Sequence, residues 1–229
     1  MTARQEEIGA KMQPIELMRE RHSVRSYTDE PVSADARRAI TEKVAQINAQ
    51  TGLHIQAFFN EPDCFSSRVA TYGMFKGVAN YLALVGPKAA DLDERCGYWG
   101  EELVLLLQSL GLGSCWVALT HGKSRAVVNA GEKLAILIAF GNGATAGAPH
   151  KSRPREKLVQ VTGTAPDWFE LGVEGALLAP TALNQQKFLV SWDGDKASLN
   201  LRGIGAYSKV DLGIVRHDFE VASRHKLAR

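Results

Sequence analysis

Two stretches of the sequence place positively charged side chains at alternate positions. Residues 21–25 have the sequence Arg-His-Ser-Val-Arg. In an extended backbone alternate side chains point to the same face, so Arg21, Ser23 and Arg25 would form one row of hydrogen-bond donors. Two guanidinium groups and a hydroxyl make a donor set that suits a phosphate monoester.

The second stretch, residues 151–155, has the sequence Lys-Ser-Arg-Pro-Arg. Pro154 biases the preceding residue away from helix, so we expect an extended backbone here too. A second donor row would then contain Lys151, Arg153 and Arg155. The alternative is that both stretches are solvated loops, where arginine and lysine are common.

A run of three carboxamides, Asn184 to Gln186, follows Pro180 and precedes an apolar stretch that begins at Phe188. Pro180 is expected to end a helix, and Phe188 to begin a strand. Each carboxamide offers a donor beside an acceptor, which matches the pyrimidine edge of a flavin, where O2 and O4 accept and N3 donates. The alternative is a helix-to-strand turn whose amide side chains satisfy nearby backbone groups.

Hydrophobic periodicity predicts the elements that carry these segments. Helices are expected at Pro14–Glu20, Ser33–Gln50, Gly97–Leu110, Asp167–Ala179 and Lys209–Ser223. Strands are expected at Leu53–Phe59, Tyr81–Val85, Cys115–Leu119, Leu134–Phe140, Phe188–Trp192 and near Leu199. The irregular alternation favours an α+β fold. The sequence lacks the glycine-rich dinucleotide motif and the Walker A motif.

Composition excludes several classes of function. The net charge of +2 over 229 residues, with acids and bases interspersed, gives no reason to expect nucleic-acid binding. The sequence has no apolar run of the roughly 20 residues that a membrane span needs. Its three cysteines are widely spaced and match neither a metal pattern nor a disulfide framework. We therefore expect a reduced, cytoplasmic protein that has no metal site.

The order of elements starts again after the glycine-rich linker Gly141–Pro149. A basic extended stretch is followed by a helix, a strand and another helix, as it is after Arg21. This pattern predicts an internal duplication, with a first half at residues 1–143 and a second half at residues 144–229. We expect the two halves to form one compact unit.

Together these segments resemble the nitroreductase family of flavoproteins. Residues 21–27 match its opening R-x-S-x-R-x-[FY] motif, and residues 97–116 match its central helix and G-L-G-[ST]-x-W turn. Residues 151–153 resemble a second phosphate-contacting segment, and residues 179–186 resemble the A-P-S-x-x-N-x-Q motif. In ordinary members that last motif lies shortly after the opening one, whereas here it lies near the C-terminus.

The resemblance implies a nitroreductase-like fold, in which a central mixed or antiparallel sheet has flanking helices. It also implies FMN as cofactor. Ordinary members are homodimers with FMN at the interface. The rearranged order resembles a branch in which one chain imitates that dimer, so we expect either a monomeric pseudo-dimer or a homodimer. Positive side chains from both sides of the linker would then converge on a single phosphate.

The same resemblance assigns roles to individual residues. The FMN phosphate and ribityl chain would be contacted by Arg21, His22, Ser23, Arg25, Lys151 and Arg153. The residues expected along the isoalloxazine ring are Pro180, Thr181, Leu183, Asn184 and Gln186. The loop facing flavin N5 would contain Leu119 and Thr120, and Tyr72 is a candidate for the cofactor rim. This chemistry requires no side-chain acid or base, so no catalytic residue is predicted.

The activity that the resemblance implies is an FMN-dependent oxidoreductase. It would take hydride from NADH or NADPH and reduce nitroaromatics, quinones or similar small electron acceptors. Three alternatives remain open: an FMN-binding protein for storage or sensing with little catalysis, an interaction domain without flavin, and a different chemistry on the same fold, such as dehalogenation or flavin fragmentation.

Overall fold

The computed structural model describes residues 13–228. Residues 1–12 and 229, which the two predicted halves include, lie outside this range. The helices are α1 (Pro14–Glu20), α2 (Ala34–Thr51), α3 (Asp63–Ser66), α4 (Leu92–Ser109), α5 (Asp167–Leu178) and α6 (Ser208–Ser223). The strands are β1 (Gln56–Phe58), β2 (Asn80–Pro87), β3 (Gly113–Val117), β4 (Glu132–Gly141), β5 (Val159–Val161), β6 (Phe188–Trp192) and β7 (Ala197–Leu201).

The described chain divides into two compact units. The first contains Arg21–Leu92 and Leu103–Pro149, and the second contains residues 13–20, 93–102 and 150–228. The division therefore passes through α4, whose two parts belong to different units. The predicted halves at residues 1–143 and 144–229, and the pseudo-dimer, stay predictions.

The first unit is built on a four-stranded antiparallel sheet in the order β1-β2-β4-β3. The central strands β2 and β4 are buried over most of their length because their apolar runs leave few polar side chains to face water. Beside the sheet, α2 buries Ala36, Ile40, Val44 and Ile47, the positions that helical spacing predicts. Ser33 caps this helix, since its hydroxyl accepts a hydrogen bond from the Ala36 N–H at 3.2 Å.

The second unit contains a three-stranded sheet in which β5 pairs parallel with β6, and β6 pairs antiparallel with β7. Helices α5 and α6 flank it, with Phe169 and Phe219 in edge contact at 5.8 Å between ring centroids. The predicted α+β class, with antiparallel strands and flanking helices, is confirmed. None of the helices in residues 13–228 is long and apolar enough to cross a bilayer.

The predicted start of the central helix at Gly97 is wrong. The helix α4 begins at Leu92, so Gly97 lies inside it. A Cβ atom at Gly97 would lie 2.0 Å from the Val210 carbonyl oxygen of α6. This glycine therefore serves close helix packing within the second unit rather than marking a helix end.

Other elements also differ from their predictions, among them the short helix α3, which was not predicted. The first strand was expected at Leu53–Phe59, but only Gln56–Phe58 pairs as a strand, because the chain leaves α2 through a left-handed Gly52 and joins the sheet later. The short strand β5 was not predicted at all. Its three residues are too few to show the alternation that marks a strand.

Candidate functional site

In the first unit, segment 21–27 lies against the start of β3. The Val24 N–H donates to the Ser114 carbonyl at 2.9 Å, and Ser23 forms bridges with Ser114 and Ala148. A Cβ atom at Gly113 would lie 2.9 Å from Val24, so only glycine allows this close approach. The glycine-rich turn thus fixes the position of the first donor row.

This segment pairs with its neighbours through isolated bridges, and its Val24 and Tyr27 are buried in the core. The Tyr27 hydroxyl donates to the Val24 carbonyl at 2.6 Å and so fixes the curvature of the segment. Val24 is buried, whereas its neighbour Arg25 is exposed.

The three predicted donors of the first row all act on one thiol, that of Cys115. Burial raises the pKa of Cys115, while the Arg25 charge, a hydrogen bond with Ser23 and the Arg21 charge act in the opposite direction. Arg21 is only 4% exposed, whereas Arg25 is exposed. The structure therefore brings Arg21, Ser23 and Arg25 together around the buried Cys115.

The remaining candidates of the first unit do not belong to this row. The His22 Nδ1 atom is 3.1 Å from the Ala146 carbonyl oxygen, so the ring has a local partner. Leu119 is 71% exposed in the bend after β3, and Thr120 follows it. Tyr72 is also exposed, in a turn where its φ is 50°. Their assigned contacts with a cofactor stay predictions.

In the second unit, residues 180–186 form a turn that we call the amide turn. Leu183, Asn184 and Gln186 have φ angles of 52°, 53° and 44°, a left-handed conformation that is costly for residues other than glycine. Pro180 is buried, and the Thr181 hydroxyl accepts from the Gln186 N–H at 3.0 Å. Leu183 is 98% exposed at the tip.

The amide turn is bonded to the second basic stretch. The buried Gln186 accepts from the Arg153 N–H through Oε1 at 2.7 Å and donates from Nε2 to the Lys151 carbonyl at 2.8 Å. Asn184 donates to the same carbonyl at 2.9 Å. Backbone atoms make these contacts, so the side chains of Lys151 and Arg153 stay exposed. These bonds agree with the local-turn alternative, and the flavin-ring role of the amides stays a prediction.

The predicted third member of the second row, Arg155, does not extend it. Arg155 begins a 3₁₀ turn, and its guanidinium nitrogen lies 2.8 and 2.6 Å from the two carboxylate oxygens of Glu170. The guanidinium of Arg155 is thus paired within the unit. Lys151 and Arg153 are therefore the remaining candidates for phosphate contacts in this stretch.

The profile of the family described as "Putative TM nitroreductase" matches residues 14–223. The chain belongs to this nitroreductase family. The match includes every candidate site residue, from Arg21 to Gln186. No curated protein matches the sequence significantly.

Solved structures agree with membership of the nitroreductase family. A "putative nitroreductase" from Thermotoga maritima is 22% identical, with a TM-score of 0.68 over 93% of this chain and 84% of its own. A "putative nitroreductase in complex with FMN" from Desulfovibrio desulfuricans is 20% identical, with a TM-score of 0.51 over 65% of this chain and 96% of its own. A "putative NADH dehydrogenase/NAD(P)H nitroreductase" from Bacteroides thetaiotaomicron is 17% identical, with a TM-score of 0.50 over 63% and 95%. These likenesses show a shared fold.

Sequence analysis did not identify one buried carboxylate that is bonded to the amide turn. Asp211, on α6, accepts from the Ala182 N–H at 2.8 Å and from Gln185 Nε2 at 2.7 Å. Burial raises its pKa to about 6, although these two hydrogen bonds act to lower it. The sequence signal that could have identified Asp211 is its position three residues before Ile214, on the buried face of an amphipathic helix.

Helix α6 also carries a buried histidine whose environment the sequence did not reveal. His217 Nδ1 lies 3.0 Å from an Asp218 carboxylate oxygen, and its Nε2 lies 2.9 Å from Glu102. Burial acts to lower the pKa of His217, but these bonds and the charge of Glu101 outweigh it and raise the pKa to about 9. Within residues 13–228, no three His, Cys, Asp or Glu side chains are grouped so that they could hold a metal ion.

Proposed function

We propose that this nitroreductase-family chain is an FMN-dependent oxidoreductase that carries reducing equivalents from NADH or NADPH to small electron-poor acceptors such as nitroaromatics and quinones. The observation that supports it best is that the family match covers both the donor row at Arg21–Arg25 and the amide turn. A solved relative of the same fold is described in complex with FMN, and another is named as an NAD(P)H nitroreductase.

The donor chemistry of the first unit fits a phosphate. Two guanidinium groups and a hydroxyl lie around Cys115, and charge-assisted bonds of this kind are the strong ones for phosphate oxygens. We assign the phosphate and ribityl contacts to Arg21, Ser23 and Arg25, with His22 beside them. In the second unit we assign phosphate contacts to the exposed side chains of Lys151 and Arg153.

The amide turn fits the ring end of the cofactor. A strained backbone persists only where the surrounding structure holds it, and such strain concentrates at binding sites. We assign ring contacts to Pro180, Thr181, Leu183, Asn184 and Gln186. The exposed Leu183 would leave water on contact with an aromatic ring. The Asn184 Oδ1 atom accepts from Gln186 Nε2 at 2.7 Å and has a second acceptor site for a ligand.

FMN, when bound, supplies the hydride chemistry. The chain's own residues bind and orient it. Leu119 and Thr120 are assigned to the loop beside the reactive nitrogen, and Tyr72 to the rim. Because these tasks need no proton transfer by a side chain, we assign no catalytic acid or base.

FMN binding tests the phosphate assignment. The purified protein is expected to show flavin absorbance, or to gain it with added FMN. Arg21→Ala and Arg153→Ala should each raise the Kd for FMN roughly 10- to 100-fold, since each removes about one charge-assisted contact. Arg155→Ala is the matched control, because its guanidinium is paired with Glu170 and its loss should leave the Kd unchanged. Unchanged affinity in both test variants would refute the assignment.

Turnover tests the reaction. The FMN-loaded protein should oxidise NADH or NADPH when a nitroaromatic or a quinone is present. Bound FMN that neither nucleotide reduces would favour storage or sensing instead. Activity confined to halogenated substrates, or breakdown of the flavin itself, would favour the alternative chemistries. Failure to bind FMN would overturn the proposal and would favour the alternative of an interaction domain without flavin.

A further inference from the structure

We propose that Asp211 is a positioning residue for the flavin, which acts by holding the amide turn in its left-handed conformation. This inference rests on the proposed function, because it concerns the same cofactor. Asp211 lies on α6 and belongs to none of the motifs that the sequence pointed to. It reaches the site only through the backbone and side chain of the turn.

The two oxygens of the Asp211 carboxylate bind different residues of the amide turn. One oxygen accepts from the Ala182 N–H at 2.8 Å, and the other accepts from Gln185 Nε2 at 2.7 Å. Ala182 and Gln185 lie on either side of Leu183 and Asn184, two of the residues with positive φ. The aspartate therefore fixes both sides of the strained tip.

Gln185 connects Asp211 and the amide turn to a neighbouring loop. Its Nε2 also donates to the Ala206 carbonyl at 2.9 Å. A Cβ atom at Gly205 would lie 2.2 Å from Gln185 Oε1, so the loop packs closely on the amide. The Lys187 ammonium adds a hydrogen bond to the Ile204 carbonyl. Asp211 thus stands at the centre of a network that joins α6, the amide turn and the loop at 203–206.

Burial of the Asp211 carboxylate is unfavourable in free energy. Asp211 is 6% exposed, and the two donors that it accepts from are neutral amides. Burying a carboxylate against neutral partners is unfavourable. Strained backbone conformations, in turn, persist only when their surroundings over-determine them. The Asp211 carboxylate therefore stabilises the turn in the conformation that would contact the flavin ring. An apolar residue could not do so, because it could not accept these two hydrogen bonds.

The test compares Asp211→Ala, Asp211→Asn and Gln185→Ala by their Kd for FMN, and by the visible spectrum and midpoint potential of the bound flavin. Asp211→Ala is expected to weaken FMN at least tenfold and to shift the spectrum or the potential. Asp211→Asn should have a smaller effect, because its remaining oxygen still accepts from Ala182. The double variant Asp211→Ala with Gln185→Ala should bind about as weakly as Asp211→Ala alone.

The matched control is Glu220→Gln. Glu220 is a buried carboxylate on the same helix, and it accepts from the Tyr98 hydroxyl at 3.0 Å and the Leu227 N–H at 3.2 Å. This variant should lower thermal stability but leave the spectrum and the potential of bound flavin unchanged. If Asp211→Ala fails to fold, Asp211→Asn and Gln185→Ala decide the question by the same readouts.

The outcomes separate the two proposals. Wild-type protein that binds no FMN would overturn the proposed function, and this inference with it. Wild-type protein that binds FMN, combined with Asp211 and Gln185 variants that match Glu220→Gln in affinity, spectrum and potential, would overturn this inference alone. A flavin shift in the Asp211 and Gln185 variants that the control lacks would support it.

Discussion

Two of the buried ionisable side chains of helix α6, Asp211 and His217, lie in contrasting surroundings. Asp211 accepts hydrogen bonds from neutral amides, and burial raises its pKa to about 6. For His217, burial acts against the charge, but the Asp218 and Glu102 carboxylates outweigh it and raise the pKa to about 9. Both groups are therefore charged near neutral pH, so the second unit holds a buried anion and a buried cation on one helix.

The raised pKa of His217 predicts how stability depends on pH. The unfolded chain has the ordinary value of 6.5, so the stabilisation by the protonated ring is complete below pH 6.5 and is lost as pH rises through about 9. His217→Gln should therefore be less stable than wild type at pH 6 by on the order of 3 kcal/mol. The gap should narrow by pH 10.

Urea unfolding at pH 6, 8 and 10 measures this difference. Subtracting the variant from the wild type removes the titration of groups that do not interact with His217, so the difference reports on His217 together with its partners Asp218 and Glu102. A difference in unfolding free energy that stays constant from pH 6 to pH 10 would show that the imidazolium contributes nothing.

At the scale of elements, α4 and α6 approach each other through two glycines in the second unit. A Cβ atom at Gly97 would lie 2.0 Å from the Val210 carbonyl oxygen, and one at Gly213 would lie 1.9 Å from the Glu94 carbonyl oxygen. Real Cβ atoms do not approach backbone oxygens so closely. The glycines are therefore what allows this helix pair to pack.

Alanine at either glycine should force these helices apart. We expect Gly97→Ala and Gly213→Ala each to cost about 3 kcal/mol or more in the free energy of unfolding, because the obstructing atom belongs to rigid backbone. Gly163→Ala is the control: it has open space around it but a φ of 74°, so it should cost only about 1 kcal/mol. Equal losses at all three positions, measured by urea unfolding, would contradict a packing role.

The amide turn and the stretch 151–153 are coupled through Gln186. Gln186→Ala would remove the acceptor of the Arg153 N–H and one donor to the Lys151 carbonyl, and it should cost about 1–3 kcal/mol because these partly buried bonds are lost. The Arg153 amide should exchange its hydrogen faster. Gln160→Ala, an exposed glutamine of the same unit, should change neither quantity. Unaltered exchange at Arg153 would argue against the coupling.

At the scale of the whole molecule, cofactor binding should stabilise the folded chain. A ligand that binds only the folded state adds about 2.7 kcal/mol at a concentration one hundred times its Kd. We therefore expect FMN, but not riboflavin at the same concentration, to raise Tm clearly, since riboflavin lacks the phosphate. Native mass spectrometry should find one FMN per chain. Equal shifts with both compounds would contradict phosphate recognition.

The sequence alone determined the features that depend on local signals. Helix α2 lies where the spacing of its apolar residues and the Ser33 cap predict it, and β6 has its predicted bounds at Phe188–Trp192. Each of these signals is contained within a few neighbouring residues, so it can be detected without knowledge of the rest of the chain.

The tertiary structure alone decided the partners of the polar groups. Arg153 and Gln186 are 33 residues apart, and Ala182 and Asp211 are 29 apart, so no local pattern links them. The same reason explains why Gly97 was wrongly predicted as a helix boundary: its role is to allow close packing against α6, which is distant in sequence. A side chain's type shows which bonds it can make, but only the folded chain determines which groups come within reach.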